Sequence, residues 1–137
     1  MTTKKKIVIV AVVLALILVI LLVSLFLLGV GVKAGKEGIV ADAPFFETTI
    51  NAEDIRKIEL YEGISYGEKT GGMSFLGVTT GKCKNAAFGT YVACVHNSNT
   101  TCVAVLKSDG FYTVFNLENA EKTIELYEKL LTLYQLN

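Results

Sequence analysis

Between Met73 and Phe115 the chain reads MSFLGVTTGKCKNAAFGTYVACVHNSNTTCVAVLKSDGFYTVF, and this stretch decides the fold. Four runs, at 73–79, 88–95, 102–106 and 111–115, are rich in Tyr, Val, Phe and Thr, the residues that suit a pleated, half-buried surface. The breaks carry turn chemistry: Gly81 with Asn85, then Asn97-Ser98-Asn99, then Ser108-Asp109-Gly110. Breaks this short predict consecutive strands that are antiparallel neighbours.

Beyond Phe115 the period changes. Ile124, Tyr127, Leu131 and Tyr134 recur at three or four residues with Glu121, Glu125, Glu128 and Lys129 between them, which predicts an amphipathic helix from Ala120. Asn116 or Asn119 supplies its N-cap, and Glu125 with Lys129 makes a favourable pair four apart. Before Met73, Gly63–Gly72 reads as a loop. Ile58 and Leu60 alternate with charge in a half-buried strand, and Phe45-Phe46 and Ile39-Val40 read as short strands. Strands first and one helix last is an α+β plan.

At the N-terminus, Ile7–Val32 is a run of 26 residues without a charge. As a helix it measures roughly 39 Å, enough to cross a hydrocarbon core of about 30 Å with some tilt. The predicted organisation is therefore 1–32, a Lys-rich cytoplasmic start and transmembrane helix; 33–44, a tether; and 45–137, the folded domain. A cleaved secretory signal has a shorter apolar core. The small-x-small triplet Ala41-Asp42-Ala43 lies well past the run and is followed by Pro44, so an uncleaved anchor is expected. Lys4, Lys5 and Lys6 precede the run and only Lys33 and Lys36 follow it closely. That asymmetry predicts a single-pass protein in the cell membrane, N-terminus in the cytoplasm and domain outside.

Composition excludes some functions. The first 32 residues hold three lysines and no acid, so the remainder carries ten basic and thirteen acidic side chains, net −3. Nucleic-acid and anionic-lipid binders rely on basic clusters, so neither partner is expected. The three cysteines, Cys83, Cys94 and Cys102, all lie in the domain. A hairpin centred on Ser98 would set Cys94 opposite Cys102 at disulfide distance; the alternative is two small buried residues in a sheet.

No catalytic set emerges. Cys94 and His96 are two apart and share a strand face, but a nucleophile pair needs an orienting third group, and a solvated surface histidine is the simpler expectation. One His and three scattered Cys give no metal-ligand spacing, and no cofactor is expected. Lys82 and Lys84 share a face and read as a solvent-facing sheet edge. Asn99-Thr100-Thr101 matches the N-glycosylation pattern.

Asp54-Ile55 leading into Ile58-Glu59-Leu60, then Gly81-Lys82-Cys83, Phe88-Gly89-x-Tyr91, the strand Phe111 to Asn116, and Glu121-Lys122-Thr123 with Tyr127 together resemble the bacterial pleckstrin-homology-like domains over about residues 45–131. The resemblance implies a bent, partly open antiparallel β-barrel capped by the C-terminal helix, and a short N-terminal membrane segment. Lipid-binding members concentrate Lys and Arg near the first strands, where this chain has Glu47, Glu53 and Asp54 with only Arg56-Lys57. Inositol lipid is therefore not expected as a ligand.

The expectation is a non-enzymatic interaction module held in the bilayer by its anchor. Its protein or peptide partner would meet a groove between the sheet and the final helix, or an exposed strand edge. The alternative is a cytoplasmic-facing regulatory or assembly subunit of another membrane protein.

Overall fold

The computed structural model describes residues 2–135, apart from the side chains of 25–28; Met1, Leu136 and Asn137, which the expected boundaries include, lie outside the described residues. Helix α1 spans Thr3–Leu28, capped by the Thr2 hydroxyl, which accepts from the Lys5 amide. Its side chains from Thr3 to Ser24 are all exposed, and it is the one described helix long and apolar enough to cross a membrane.

The chain turns out of α1 at Gly29, where φ is +48°. A Cβ there would approach the His96 ring to 2.7 Å, so both the backbone and the neighbour require glycine.

Residues 33–44 are not a tether. Strands β1 (Gly31–Ala34), β2 (Gly38–Ala43) and β3 (Phe46–Asn51) form an antiparallel three-stranded sheet, and Ile39, Ala41 and Ile50 are buried in the core. Phe45 is not in a strand either; it occupies the β2–β3 turn with a φ of +66°.

A 3-10 turn at 52–54 leads into the larger sheet. This contains β4 (Ile55–Tyr61), β5 (Glu68–Lys69), β6 (Met73–Phe75), β7 (Val78–Asn85), β8 (Gly89–His96), β9 (Cys102–Lys107) and β10 (Tyr112–Phe115). Its order is β4-β9-β10-β8-β7-β5, and β6 also pairs with β7. Helix α2 (Ala120–Leu133) closes the chain.

The pairing departs from the expected meander at two places. The run expected as one strand at 73–79 is split by the Leu76-Gly77 turn into β6 and the start of β7, which continues through Gly81 to Asn85. β10 lies between β8 and β9, parallel to the first and antiparallel to the second. Neighbouring strands are about 4.8 Å apart, so the segment 97–101 steps across one strand, a distance well within its reach. Short loops thus allowed an intervening strand, and the inference from loop length to adjacency failed here. Two separate sheets and a parallel pair stand in place of a single bent antiparallel barrel; no closed barrel forms among the described residues.

Both faces of the larger sheet are covered. On one, Ile39 and Ile50 of the small sheet and Leu130 of α2 pack on Ile58, Cys94, Val103, Val105 and Phe115. The other carries Cys83, Tyr91, Ala93, Val95, Cys102, Ala104 and Val114 beneath Phe88. Phe88 meets the rings of Tyr61, Tyr91 and Tyr112 at centroid distances of 5.0, 5.3 and 5.0 Å, within the range of favourable aromatic pairs. Double coverage explains why Cys102 through Val105 are all buried.

Helix α2 begins where Asn119 accepts from the Lys122 amide at 2.9 Å. Its apolar stripe centres on the fully buried Leu130, and Lys122 in its first turn pairs with Glu118 ahead of the helix, while among the described residues no ion pair joins Glu125 to Lys129.

Asn116 is not a cap but the buried centre of a polar network. Its Oδ1 accepts from the His96 amide at 2.7 Å. Its Nδ2 donates to the Tyr66 hydroxyl at 3.0 Å and to the carbonyls of His96 and Asn99 at 3.2 and 2.9 Å. Replacing it with an apolar residue strands those groups, and each buried unpaired group costs about 1–3 kcal/mol. Asn116→Leu is therefore expected to lower the unfolding free energy by at least about 2 kcal/mol, read from urea denaturation of the full chain in detergent. A change under about 0.5 kcal/mol, the range of ordinary surface substitutions, would contradict this.

Candidate functional site

The strongest candidate is a groove of about 470 Å³ between β4 and α2, lined by Ile58, Leu60, Tyr127 and Leu131 with Arg56, Lys57 and Glu59 along its rim. β4 is an edge strand: it pairs with β9 on one side, and among the described residues no strand pairs with the other. Its register slips between Ile55 and Lys57, and the Arg56 guanidinium there donates to the Glu53 carbonyl at 2.8 Å. Such an irregularity blunts a sheet edge. From Ile58 to Tyr61 the register is regular, so that half of the edge keeps its outward backbone groups in line.

Apolar side chains and rim charges share the groove. Ile58 is 5% exposed, while Leu60, Tyr127 and Leu131 are half-buried. Lys57 Nζ lies 3.4 Å from Glu59, whose carboxylate also accepts from the hydroxyls of Tyr61 and Tyr112. A groove of this kind offers backbone hydrogen bonds beside pockets for alternate side chains, the two elements of strand addition.

A second recess, about 540 Å³, opens where the chain leaves α1. Gly29, Val30, Leu76, Gly77, Val78, His96, Ser98, Leu117, Glu118 and Lys122 line it. His96 is not a solvated surface residue. Its Nε2 accepts from the Val30 amide at 3.3 Å, which ties the segment that follows α1 to β8. That bond requires a neutral ring with the proton on Nδ1. Burial holds the His96 pKa below its ordinary value, partly offset by the Glu118 carboxylate.

The other residues singled out from sequence are not assembled into a reactive set. Cys94 and Cys102 belong to opposite faces of the sheet. β10 runs between their strands: Cys94 faces Phe115, Phe115 faces Val103, and Cys102 is paired with Tyr61. Of the two alternatives for this pair, the structure shows small buried sheet residues and not a cross-strand bridge: all three cysteines are free and buried.

Burial pushes the Cys94 and Cys102 thiols up to about 12, which leaves them protonated and poor nucleophiles. No hydrogen bond links Cys94 to His96 among the described residues. Lys82 and Lys84 are exposed on β7, which is not the sheet's edge, since β5 and β6 pair with it. Asn99 is 8% exposed and its Nδ2 donates to Leu117 O and Thr123 Oγ1, so its amide is committed to the core and not available to a glycan. Among the described residues no cluster of His, Cys, Asp or Glu could hold a metal ion.

Comparison with protein-family models, with curated proteins and with solved structures finds no match for this chain. The site stands on its own geometry.

Because the folded His96 pKa is depressed, its contribution to stability is present above the unfolded value of about 6.5 and declines as pH falls below it. Acidification from pH 7.5 to 5 is expected to lower the protection of the Val30 amide, measured against the intrinsic exchange rate at each pH, more than that of the Val105 amide in the sheet centre. His96→Gln, which keeps an acceptor but does not titrate, should remove the difference. An equal loss of protection in both proteins would show that the His96–Val30 bond does not respond to pH.

Proposed function

We propose that this chain is a non-enzymatic, membrane-anchored interaction module whose β4–α2 groove takes an extended segment of a protein partner by strand addition. The observation that carries this reading is the regular, unpaired edge of β4 at 58–61, bordered by Tyr127 and Leu131 of α2. Backbone pairing to the edge supplies affinity, and the space between Leu60 and Tyr127 supplies side-chain selection.

The anchor is part of the proposal. α1 has the length and composition of a span, and its exposed side chains need an apolar surrounding. The triplet that resembles a cleavage site lies inside β2, paired with β1 and β3. Cutting there would remove the buried Ile39 from the core, which favours retention. Lys4, Lys5 and Lys6 on the first turns of α1 favour the N-terminus in the cytoplasm and the domain outside.

One observation favours a second reading. Three free, buried thiols suit a reducing compartment, as expected if the domain faces the cytoplasm and acts as a regulatory or assembly subunit of another membrane protein. A reporter fused after the last residue and active on only one side of the membrane separates the two: an external signal supports the first, a cytoplasmic one the second.

For the groove, the test is selection of peptides from a random extended library by the full chain in detergent. Selected peptides should shift backbone amide resonances of 58–61. Leu60→Glu, which puts a charge in the apolar lining, should weaken them at least tenfold, about 1.4 kcal/mol. Shifts confined to other strands, or undiminished binding by the variant, would rule the groove out.

A further inference from the structure

Two turns at the anchor end of the domain break the same rule. In the β2–β3 turn, Ala43 pairs with Phe46, and Phe45 takes a φ of +66° after Pro44. This fits a type II turn, whose third position ordinarily belongs to glycine or asparagine. In the β6–β7 turn, Phe75 pairs with Val78, and Leu76 and Gly77 have φ of +50° and +79°. Positive values at both positions fit a type I′ turn, where Asn-Gly is the usual pair. A bulky apolar residue therefore stands in a left-handed conformation at each turn, a costly choice for the backbone.

It is also costly for solvation. Phe45 is 72% exposed, Leu76 48% and Phe75 37%. Phe45 and Phe75 touch edge to face with centroids 5.6 Å apart, so the two turns form one apolar tip.

The tip adjoins the end of α1. Leu76 and Gly77 line the recess that also contains Gly29 and Val30, and Gly31 pairs with Asp42 just before the Pro44-Phe45 turn. Among the described residues, the opposite end of the domain has one exposed aromatic, Phe111, with no ring partner, beside a polar turn where Ser108 Oγ donates to Asp54.

We propose that Phe45, Phe75 and Leu76 form a collar that enters the interfacial layer of the same bilayer that α1 crosses, seating the domain against the lipid. This rests on the proposed reading of α1 as a retained anchor. Continuity with α1 selects lipid as the occupant, since a helix that enters the bilayer at Leu28 brings these turns to its surface. Exposed turn backbone cannot enter the hydrocarbon core without losing its hydrogen bonds, so the depth is that of the headgroup and acyl boundary, where aromatic side chains concentrate. Asp42 and Glu47 flank the β2–β3 turn, Glu118 and Lys122 line the adjoining recess, and Lys69 donates to Ser74 beside Phe75, so these charges carry no basic excess. Attraction is therefore apolar and does not depend on anionic lipid.

The chain has no tryptophan, so a single introduced one reports alone. The full chain carrying Phe45→Trp, Leu76→Trp or, as a distal control, Phe111→Trp is reconstituted in phosphatidylcholine vesicles. Flotation tests the anchor, and quenching by lipid brominated near the headgroup end of its acyl chain tests the collar. The expected result is flotation of all three, with blue-shifted and quenched emission at 45 and 76 but water-like, unquenched emission at 111. Adding Leu76→Asn, which suits the turn, to the Phe45→Trp protein should leave thermal unfolding no lower while shifting that emission toward the red. Flotation with water-like emission at both 45 and 76 overturns the collar alone, and failure to float overturns the anchor and the collar together.

Discussion

The buried amide of Asn116 is the constraint on which the arrangement of the larger sheet depends. It answers both the N–H and the C=O of His96, at the end of β8, and the carbonyl of Asn99, in the segment that crosses to β9. One side chain at the end of β10 thus satisfies backbone groups that the inserted strand leaves without ladder partners, as buried polar groups require. The network continues outward. Asn99 reaches Leu117 and Thr123, Thr123 receives the Leu117 amide and donates to the Asn119 carbonyl, and Tyr66 donates to Asn99 O at 2.6 Å. The crossover, the start of α2 and the loop before β5 are fixed by a single connected set of hydrogen bonds.

That insertion decides the fate of the cysteines and the shape of the site. With β10 between β8 and β9, Cys94 and Cys102 look to opposite faces and function as small core residues. With β9 enclosed between β10 and β4, the edge passes to β4. β4 then lies beside α2, whose Tyr127 and Leu131 face Ile58 and Leu60 across the groove. The groove is thus a consequence of strand order as much as of the residues that line it.

The parts of the fold legible in the sequence were those governed by local chemistry. α1, the alternation at Ile58 and Leu60, the strands between Phe88 and Phe115 and the start of α2 follow from periodicity and turn residues. A groove between the sheet and the final helix, or along a strand edge, was also foreseeable from the apolar stripe through Tyr127 and Leu131. What could not be read was long-range. Nothing local shows that β10 pairs with β8, that Asn116 and not Ser98 organises the crossover, or that His96 meets Val30 at 66 residues' remove. Phe45 misled because its side chain suits a strand while its place after Pro44 is a turn. Residues 33–44 read as a tether around one short strand at Ile39-Val40, because the glycines concealed that β1 and β2 pair and that Ile39 and Ala41 are buried.

Strand direction relates the two ends of the domain to the groove. β4 is antiparallel to β9, and β9 is antiparallel to β10, which is parallel to β8. β4 and β8 therefore run the same way, and β8 ends at His96 beside the exit of α1. The regular half of the β4 edge, Ile58 to Tyr61, consequently points toward the end where α1 leaves the domain, while the blunted half at Ile55 to Lys57 lies toward the distal end. A segment added along this edge would run between those two ends. The direction of the best edge and the direction of the chain's own exit thus agree.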